Sequence, residues 1–389
     1  MKIGIFTYAD TLTGGNLRLV RALRYYPKDE FMLFIPSDKF YKLKNVLESL
    51  KDPGLENLEK MAVHLKPMGH PGILGYVSYG KYVGEYAKKE GIDLLYLYHE
   101  HAYFPFGFSL SGIKWTMLVQ LTPVIGSIAI EEGKGFDLFR KNYSKIYGYG
   151  YTKSLKGYLR LKLFSMSTGN NTLIAASKSV PYELGLLGIK KKFEVLKVPS
   201  GFDGCLKKSA QKDMDVVYFS RVVKEKGIFH YFEVLSALRN KIKSAYIVGY
   251  CDERMKKIVE SELERRKLNF VKTLYNASKE EAHEAVSRSK LLIYPSMMDA
   301  FSLSLMESLA CGTPAVAYGI PGIRFNYETP AVRLVKPLDF KALAEETGKI
   351  LESGAWQEML KLGLEYSKNY KWEAMVENEV KVLEKLSMS

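Results

Sequence analysis

The residues best suited to chemistry cluster between Leu291 and Val316, where an apolar run ends in a loop holding Asp299 and a helix opens near Ser302 to close at Gly312. From Ala300 through Ile323 the only charged residue is Glu307, set mid-helix among Leu303, Met306 and Ala310. A carboxylate buried without a partner is strongly destabilising, so donors must meet it. Paired ligand hydroxyls such as those of a ribose would serve, and so would a neighbouring Arg or backbone donors. The helix start over Ala300, Phe301, Ser302 and Leu303 presents free backbone N–H groups at a positive dipole end, which suits a diphosphate. In Val216 to Gly227 a strand ends in Arg221 and the next helix begins around Lys226. Both cations then project from the carboxyl edge of a sheet, where Arg can grip a phosphate through two hydrogen bonds. Thr13-Gly14-Gly15-Asn16 follows the first strand, and its glycines allow either a turn or a close approach of backbone to ligand.

These residues need a frame of strands and helices. Short apolar runs rich in β-branched or aromatic residues alternate with longer stretches of helical period, the pattern of parallel sheets built from βαβ units. The expected strands are 2–7, 31–35, 61–66, 93–98, 116–121 and 172–176, then 215–219, 244–248, 269–273, 290–294, 313–317 and 331–335. Helices are expected near 16–26, 38–50, 73–90 and 177–186, then 227–239, 252–267, 279–289, 302–311 and 339–353. At about 150 residues per domain the chain makes two α/β domains. They are read as 1–200 and 201–370, divided where turn residues gather in Val198 to Gly204. A last amphipathic helix within 371–389, with Trp372, Val376, Val380 and Leu383 on one face, is expected to pack back on the first domain. Two doubly wound domains facing across a cleft place ligands at the carboxyl ends of their strands.

Composition narrows the classes. With 47% hydrophobic and 26% charged residues, disorder, collagen-like repeats and coiled coil are excluded as the main architecture. Cys205, Cys251 and Cys311, an odd number without Cys-x-x-Cys, predict neither a disulfide framework nor a cysteine zinc site, and fit a reducing cytosol. The first residues read as a strand rather than a signal peptide. The longest apolar run, Thr116 to Ile130, is broken by Gln120, Pro123 and Gly126 and is shorter than the roughly 20 residues of a spanning helix. Scarce glutamine beside abundant lysine and glutamate hints at a thermophilic source. The net charge of +14 is uneven: residues 134–162 hold eight cations against Asp137, interleaved with Phe136, Tyr143, Tyr151 and other aromatics. Such a surface is either a solvated face or a partner for something anionic, such as phosphate, lipid headgroups or nucleic acid.

Phosphate-loop, dinucleotide-binding, nucleophile-elbow and zinc-protease signatures are absent. Asp213-Met214-Asp215 has a metal-holding pattern but precedes a strand and reads as a surface turn. His99 and His101, two apart on a strand, share a face; packing or substrate polarity is the expected role and a metal site the alternative.

Together the motifs resemble the retaining glycosyltransferases of family 4, which have the two-Rossmann-domain GT-B fold. Asp299 and Glu307 with Glu307-Ser-Leu-Ala-Cys-Gly-Thr-Pro-Ala-Val resemble that family's paired acids and Glu-Ala-x-Ala-x-Gly-x-Pro-Val-Val. Arg221-Val-Val-Lys-Glu-Lys226-Gly227 resembles its Gly-Arg-x-x-x-x-Lys-Gly, and Ile174 to Ser177 with Val198 to Asp203 resemble two further segments. The resemblance implies that Glu307 holds the donor ribose, Arg221 and Lys226 the diphosphate, and Asp299 with the Ala300–Leu303 backbone the transferred sugar and phosphate. Gly14 and Gly15 would close over the phosphates. Asp299 stands where the family usually has Glu, and Ser220 and Ser200 where it often has Gly and Asn. Where the family shows a His near the reacting sugar this chain offers Gln120, with His99 and His101 nearby as candidates.

The expectation is therefore a glycosyltransferase that moves a sugar, with retention and without metal or cofactor, from a nucleoside-diphosphate sugar to a glycan or lipid-phosphate-linked acceptor. It would be cytoplasmic, free or peripheral on an anionic membrane through 134–162, and would not bind nucleic acid. The rivals are a nucleotide-sugar 2-epimerase of the same fold and, from another class, a basic nucleic-acid-binding protein.

Overall fold

The computed structural model describes residues 1–11 and 14–388; Thr13 of the glycine loop and Ser389 of the last segment lie outside them. The first half builds β1 (Ile3–Phe6), α1 (Gly14–Ala22), β2 (Phe31–Pro36), α2 (Ser37–Ser49), α3 (Gly54–Met61) and β3 (Ala62–Leu65). It continues through α4 (Ile73–Lys89), β4 (Leu94–Leu97), α5 (Phe104–Ser111), β5 (Trp115–Val119), α6 (Gly135–Tyr147) and α7 (Tyr151–Ser167). β6 (Leu173–Ala175), α8 (Ser179–Leu186) and β7 (Phe193–Val195) end it. The second half builds β8 (Met214–Phe219), α9 (Ile228–Leu238), β9 (Ala245–Gly249), α10 (Glu253–Arg265), β10 (Val271–Tyr275), α11 (Lys279–Ser287) and β11 (Ser289–Tyr294). Then follow α12 (Leu303–Ala310), β12 (Ala315–Tyr318), α13 (Pro321–Arg324), β13 (Val332–Val335), α14 (Phe340–Ser353), α15 (Trp356–Ser367) and α16 (Trp372–Met388).

The strands form two wholly parallel sheets, in the order β3-β2-β1-β4-β5-β6-β7 and β10-β9-β8-β11-β12-β13. Central strands such as β1, β4 and β5 are buried throughout, because helices cover both faces of a parallel sheet and leave no room for polar alternation. This is the α/β GT-B architecture: two doubly wound parallel-sheet domains. In each sheet the order reverses beside the first strand, between β1 and β4 and between β8 and β11, and a doubly wound sheet opens a ligand crevice at that point.

The chain end returns to the first sheet. Trp372, Met375, Val376, Leu383 and Leu386 of α16 are buried in the core that holds Ile3, Leu19, Leu94 and Tyr96. Each such side chain contributes about 1.5–3 kcal/mol on burial. At the centre of this contact Arg18 of α1 forms an ion pair with Glu379, whose Oε1 also accepts from Tyr26 at 2.7 Å and Tyr96 at 2.6 Å. Arg18 further donates to the Pro199 carbonyl at 3.0 Å, tying α1 to the crossover between the lobes.

The cysteines overturn the expectation of no disulfide: Cys205 is bonded to Cys311, and only Cys251 is free. The partners are 106 residues apart, so no local spacing announces them. The cysteine count therefore loses its value as a sign of a reducing compartment. Among the described residues no helix is long and apolar enough to cross a membrane.

Candidate active site

Strand-to-helix segments from both lobes converge on one cavity of about 610 Å³ between them. Gly14 and Gly15 open α1 after β1, and Gln120 follows β5. Arg221 and Lys226 come from the segment after β8, Asp299 to Ser302 from the loop after β11, and Leu303 and Ser304 from the start of α12. The geometry thus brings together Gly14, Gly15, Gln120, Arg221, Lys226, Asp299, Ala300, Phe301, Ser302 and Leu303. Gly15 lies so close to Gln120 that an added Cβ would stand 2.7 Å from its Oε1, while Gly14 opens on free space.

Local structure explains how the cations are aimed. Lys224–Lys226 form a 3-10 turn that ends at Gly227, whose φ of +77° and contact with the Pro295 carbonyl admit no side chain. Lys226 is thereby held over the β11 loop. Its Nζ donates to the Met298 carbonyl at 2.7 Å and to Asp299 Oδ1 at 2.6 Å. Asp299 Oδ2 accepts from Tyr294 at 2.9 Å and Ser296 at 2.6 Å, so its carboxylate is largely occupied inside the protein. Arg221 is exposed and makes no ion pair among the described residues, which leaves its guanidinium for a ligand. Ser302 caps α12 by accepting from Leu305 N–H at 3.1 Å, and the N–H groups of Leu303 and Ser304 remain at the helix start beside the cavity.

Glu307 does not line this cavity; it lies one helical turn beyond Leu303. Nor is it the lone carboxylate that its own segment presents. Lys279 of α11 reaches its Oε1 at 3.0 Å and also bonds Asp203 Oδ2 at 3.1 Å. Ser278 and Glu281 form a capping box that starts α11 and sets Lys279 at its first helical position. Burial works against the Lys279 charge, but Glu307 and Asp203 outweigh it and raise the pKa. Glu307 Oε2 faces His283 Nε2 at 3.6 Å, beyond hydrogen-bond reach, and that buried nitrogen has no hydrogen-bond partner among the described residues. Among the described residues Glu307 therefore keeps one oxygen without a close donor, with its side chain 12% exposed.

The expected polar neighbours in the first lobe divide. His99 and Gln120 line an adjoining cavity of about 320 Å³ together with Tyr8, Asp10 and Glu100. His99 is pushed down to about 4 by burial and by Arg18, so it is a neutral imidazole bonded between Thr7 at 3.2 Å and Gln120 at 3.4 Å. His101 lines neither cavity. Its Nδ1 accepts the Tyr103 and Phe104 N–H groups at 3.1 and 3.2 Å, capping α5, and its ring packs on Tyr76 and Phe104. Asp10, Glu100, Tyr294, Ser296 and Lys279 escaped sequence reasoning, although Asp10 and Glu100 follow β1 and β4 at the sheet edge where ligands gather. The Asp213 and Asp215 carboxylates are engaged by Arg288 and Lys290; Asp213 precedes β8 but Asp215 lies within it, so the expected surface turn holds only for the first. Among the described residues the group able to ligate a metal is Cys205, His283 and Cys311, but its two sulfurs are bonded to each other.

Residues 207–370 match the family model of glycosyl transferases group 1. An uncharacterized glycosyltransferase of Methanocaldococcus jannaschii is 24% identical over 337 residues, covering 83% of this chain and 84% of that relative. Among solved structures, Anabaena HepE in complex with UDP superposes with a TM-score of 0.71 at 17% identity, over 99% of this chain and 100% of that one. Sucrose-phosphate synthase of Thermosynechococcus elongatus gives 0.68 at 17% identity over 99% of both chains. With a glycosyl transferases group 1 segment seated in this two-lobed frame, the chain is a GT-B glycosyltransferase.

Proposed function

We propose that the chain transfers a sugar from a nucleoside-diphosphate sugar to a glycan or lipid-linked acceptor with retention of configuration, in the manner of family 4. The observation that carries this reading is the convergence of Arg221, Lys226 and the α12 N-terminus on the cavity that Gly14 and Gly15 close from the other lobe. Negative charge grows on the departing diphosphate as the sugar–phosphate bond breaks. Donors already fixed around it stabilise that charge without reorganising, and this preorganisation is usually the greatest source of rate enhancement in such a site. Arg221 supplies the free fork and Lys226 a charge held in place by Asp299. The Leu303 and Ser304 amides supply the helix end. Asp299 serves here mainly to orient Lys226. Glu307, through the oxygen that Lys279 leaves open, takes the ribose hydroxyls. That HepE has been solved with UDP supports this choice of donor class.

In the retaining scheme the departing phosphate takes the acceptor hydroxyl's proton on the face the sugar leaves, so a protein base is not needed. The neutral His99, Gln120 and Glu100 border the acceptor side. The outer face of α7 exposes Tyr151, Leu155, Leu159 and Met166 beside Lys153, Lys156 and Arg160, which suits peripheral contact with an anionic membrane. Incubation with nucleoside-diphosphate sugars and hydroxyl acceptors, with the product anomer read by NMR, tests the reading. A retained anomer formed equally in EDTA is expected; an inverted product, an EDTA-abolished reaction or release of free sugar alone would contradict it.

A further inference from the structure

A second opening of about 570 Å³ lies between the lobes, away from the donor cavity. Arg140, Lys141 and Lys145 of α6 line it from the first lobe, and Lys224 and His230 from the second. No carboxylate is among its described lining residues. Arg140 and Lys141 share Asp137, at 3.0 and 3.1 Å, so one acid offsets two cations. Lys145 and Lys224 make no ion pair among the described residues, and both are exposed. The crowding is felt by His230: burial and then the Lys145 charge lower its pKa, and its Nδ1 is bonded to Tyr318 at 2.7 Å. Cations gathered from two lobes without matching acids repel one another, and an anion between them would turn that repulsion into attraction.

The opening also sits back to back with the donor site. Lys224 begins the 3-10 turn that Lys226 ends, and Met297 of this wall precedes Met298, whose carbonyl holds Lys226. Met297 N–H donates to the Glu225 carbonyl at 2.9 Å, joining the two segments. We propose that this opening is a second anion site that takes a phosphate-bearing ligand and bridges the lobes beside the donor turn. Cation forks and ammonium groups suit phosphate oxygens, and Phe229, Ile130 and Met297 supply an apolar flank for the group that carries them. The site stands independently of the donor reading and is separable from it.

Calorimetric titration of the full chain with inorganic pyrophosphate tests this, using wild type, the double variant K145Q/K224Q and R221A. Two pyrophosphate sites are expected in wild type. K145Q/K224Q should weaken one by about tenfold, as loss of two charge-assisted contacts implies, and R221A should weaken the other. A single site in wild type, no binding, or both sites kept within about twofold in K145Q/K224Q would overturn the proposal. An undiminished pair of sites in R221A would count against the donor reading instead. If the phosphate arrives on a lipid, K145Q/K224Q will also lose co-sedimentation with phosphatidylglycerol vesicles; if it is soluble, vesicle binding will stay unchanged while the pyrophosphate site weakens.

Discussion

Two mid-helix carboxylates, Glu379 in a charged segment and Glu307 in an apolar one, find opposite surroundings in the protein. Glu379 is fully buried, with Arg18 on one oxygen and Tyr26 and Tyr96 on the other. Glu307 has Lys279 on one oxygen and, on the other, only a histidine nitrogen at 3.6 Å. The first holds the last helix to a sheet and is closed to any ligand by full burial. The second is positioned by one cation and still has an oxygen to offer. A buried or half-buried acid thus needs a partner; which lone pairs stay open decides whether that partner is structure or substrate.

The largest test of this contrast is Glu379→Ala, which strands the Arg18 charge in the core and should lower stability by about 3–5 kcal/mol, read by denaturant unfolding. A loss below about 1 kcal/mol would show that the pair is not structural. A third buried acid sharpens the comparison. Glu183 has only neutral donors, Thr122, Ser127 and the Ile128 amide, and burial pushes it up to about 7 from 4.5. A raised carboxyl favours the protonated fold, so its stabilisation is full below about 4.5 and is lost as pH rises through about 7. At about 1.4 kcal/mol per pH unit the loss is roughly 3 kcal/mol. Glu183→Gln should flatten that part of the stability profile, and an unchanged slope would remove Glu183 as its source.

Glu307→Ala should act elsewhere, weakening donor turnover by on the order of 10² as expected of lost site electrostatics, with melting close to wild type. A collapse in stability with unchanged turnover would make Glu307 a second Glu379. Lys279→Ala, which removes only the positioning cation, should have the smallest effect, about tenfold, expressed in donor KM more than in kcat.

Much of this frame was legible. The buried strands announce themselves as apolar runs because helices cover both sheet faces, and Arg221, Lys226 and the α12 start were found by their places at strand ends. What escaped was either featureless locally or distant in sequence. α5 reads Phe-Pro-Phe-Gly-Phe and is apolar on all sides, so it carries no helical stripe. β7 is only three half-buried residues. The basic segment 134–162 looked like one surface, yet it folds as two helices, α6 lining an interlobe opening and α7 facing out. Lys279 meets Glu307, and Cys205 meets Cys311, only after separate elements pack, and neither sequence context hints at its partner.

The most direct test of the central claim, that a nucleoside diphosphate is gripped by Arg221, Lys226 and the α12 amides with Glu307 on its ribose, is a melting-temperature screen. Wild type, Arg221→Ala and Glu307→Ala would each be heated with UDP, GDP and ADP. The account predicts that at least one diphosphate raises the wild-type melting temperature and that both variants lose the rise while melting normally alone. No rise in wild type, or one that persists undiminished in both variants, would contradict it.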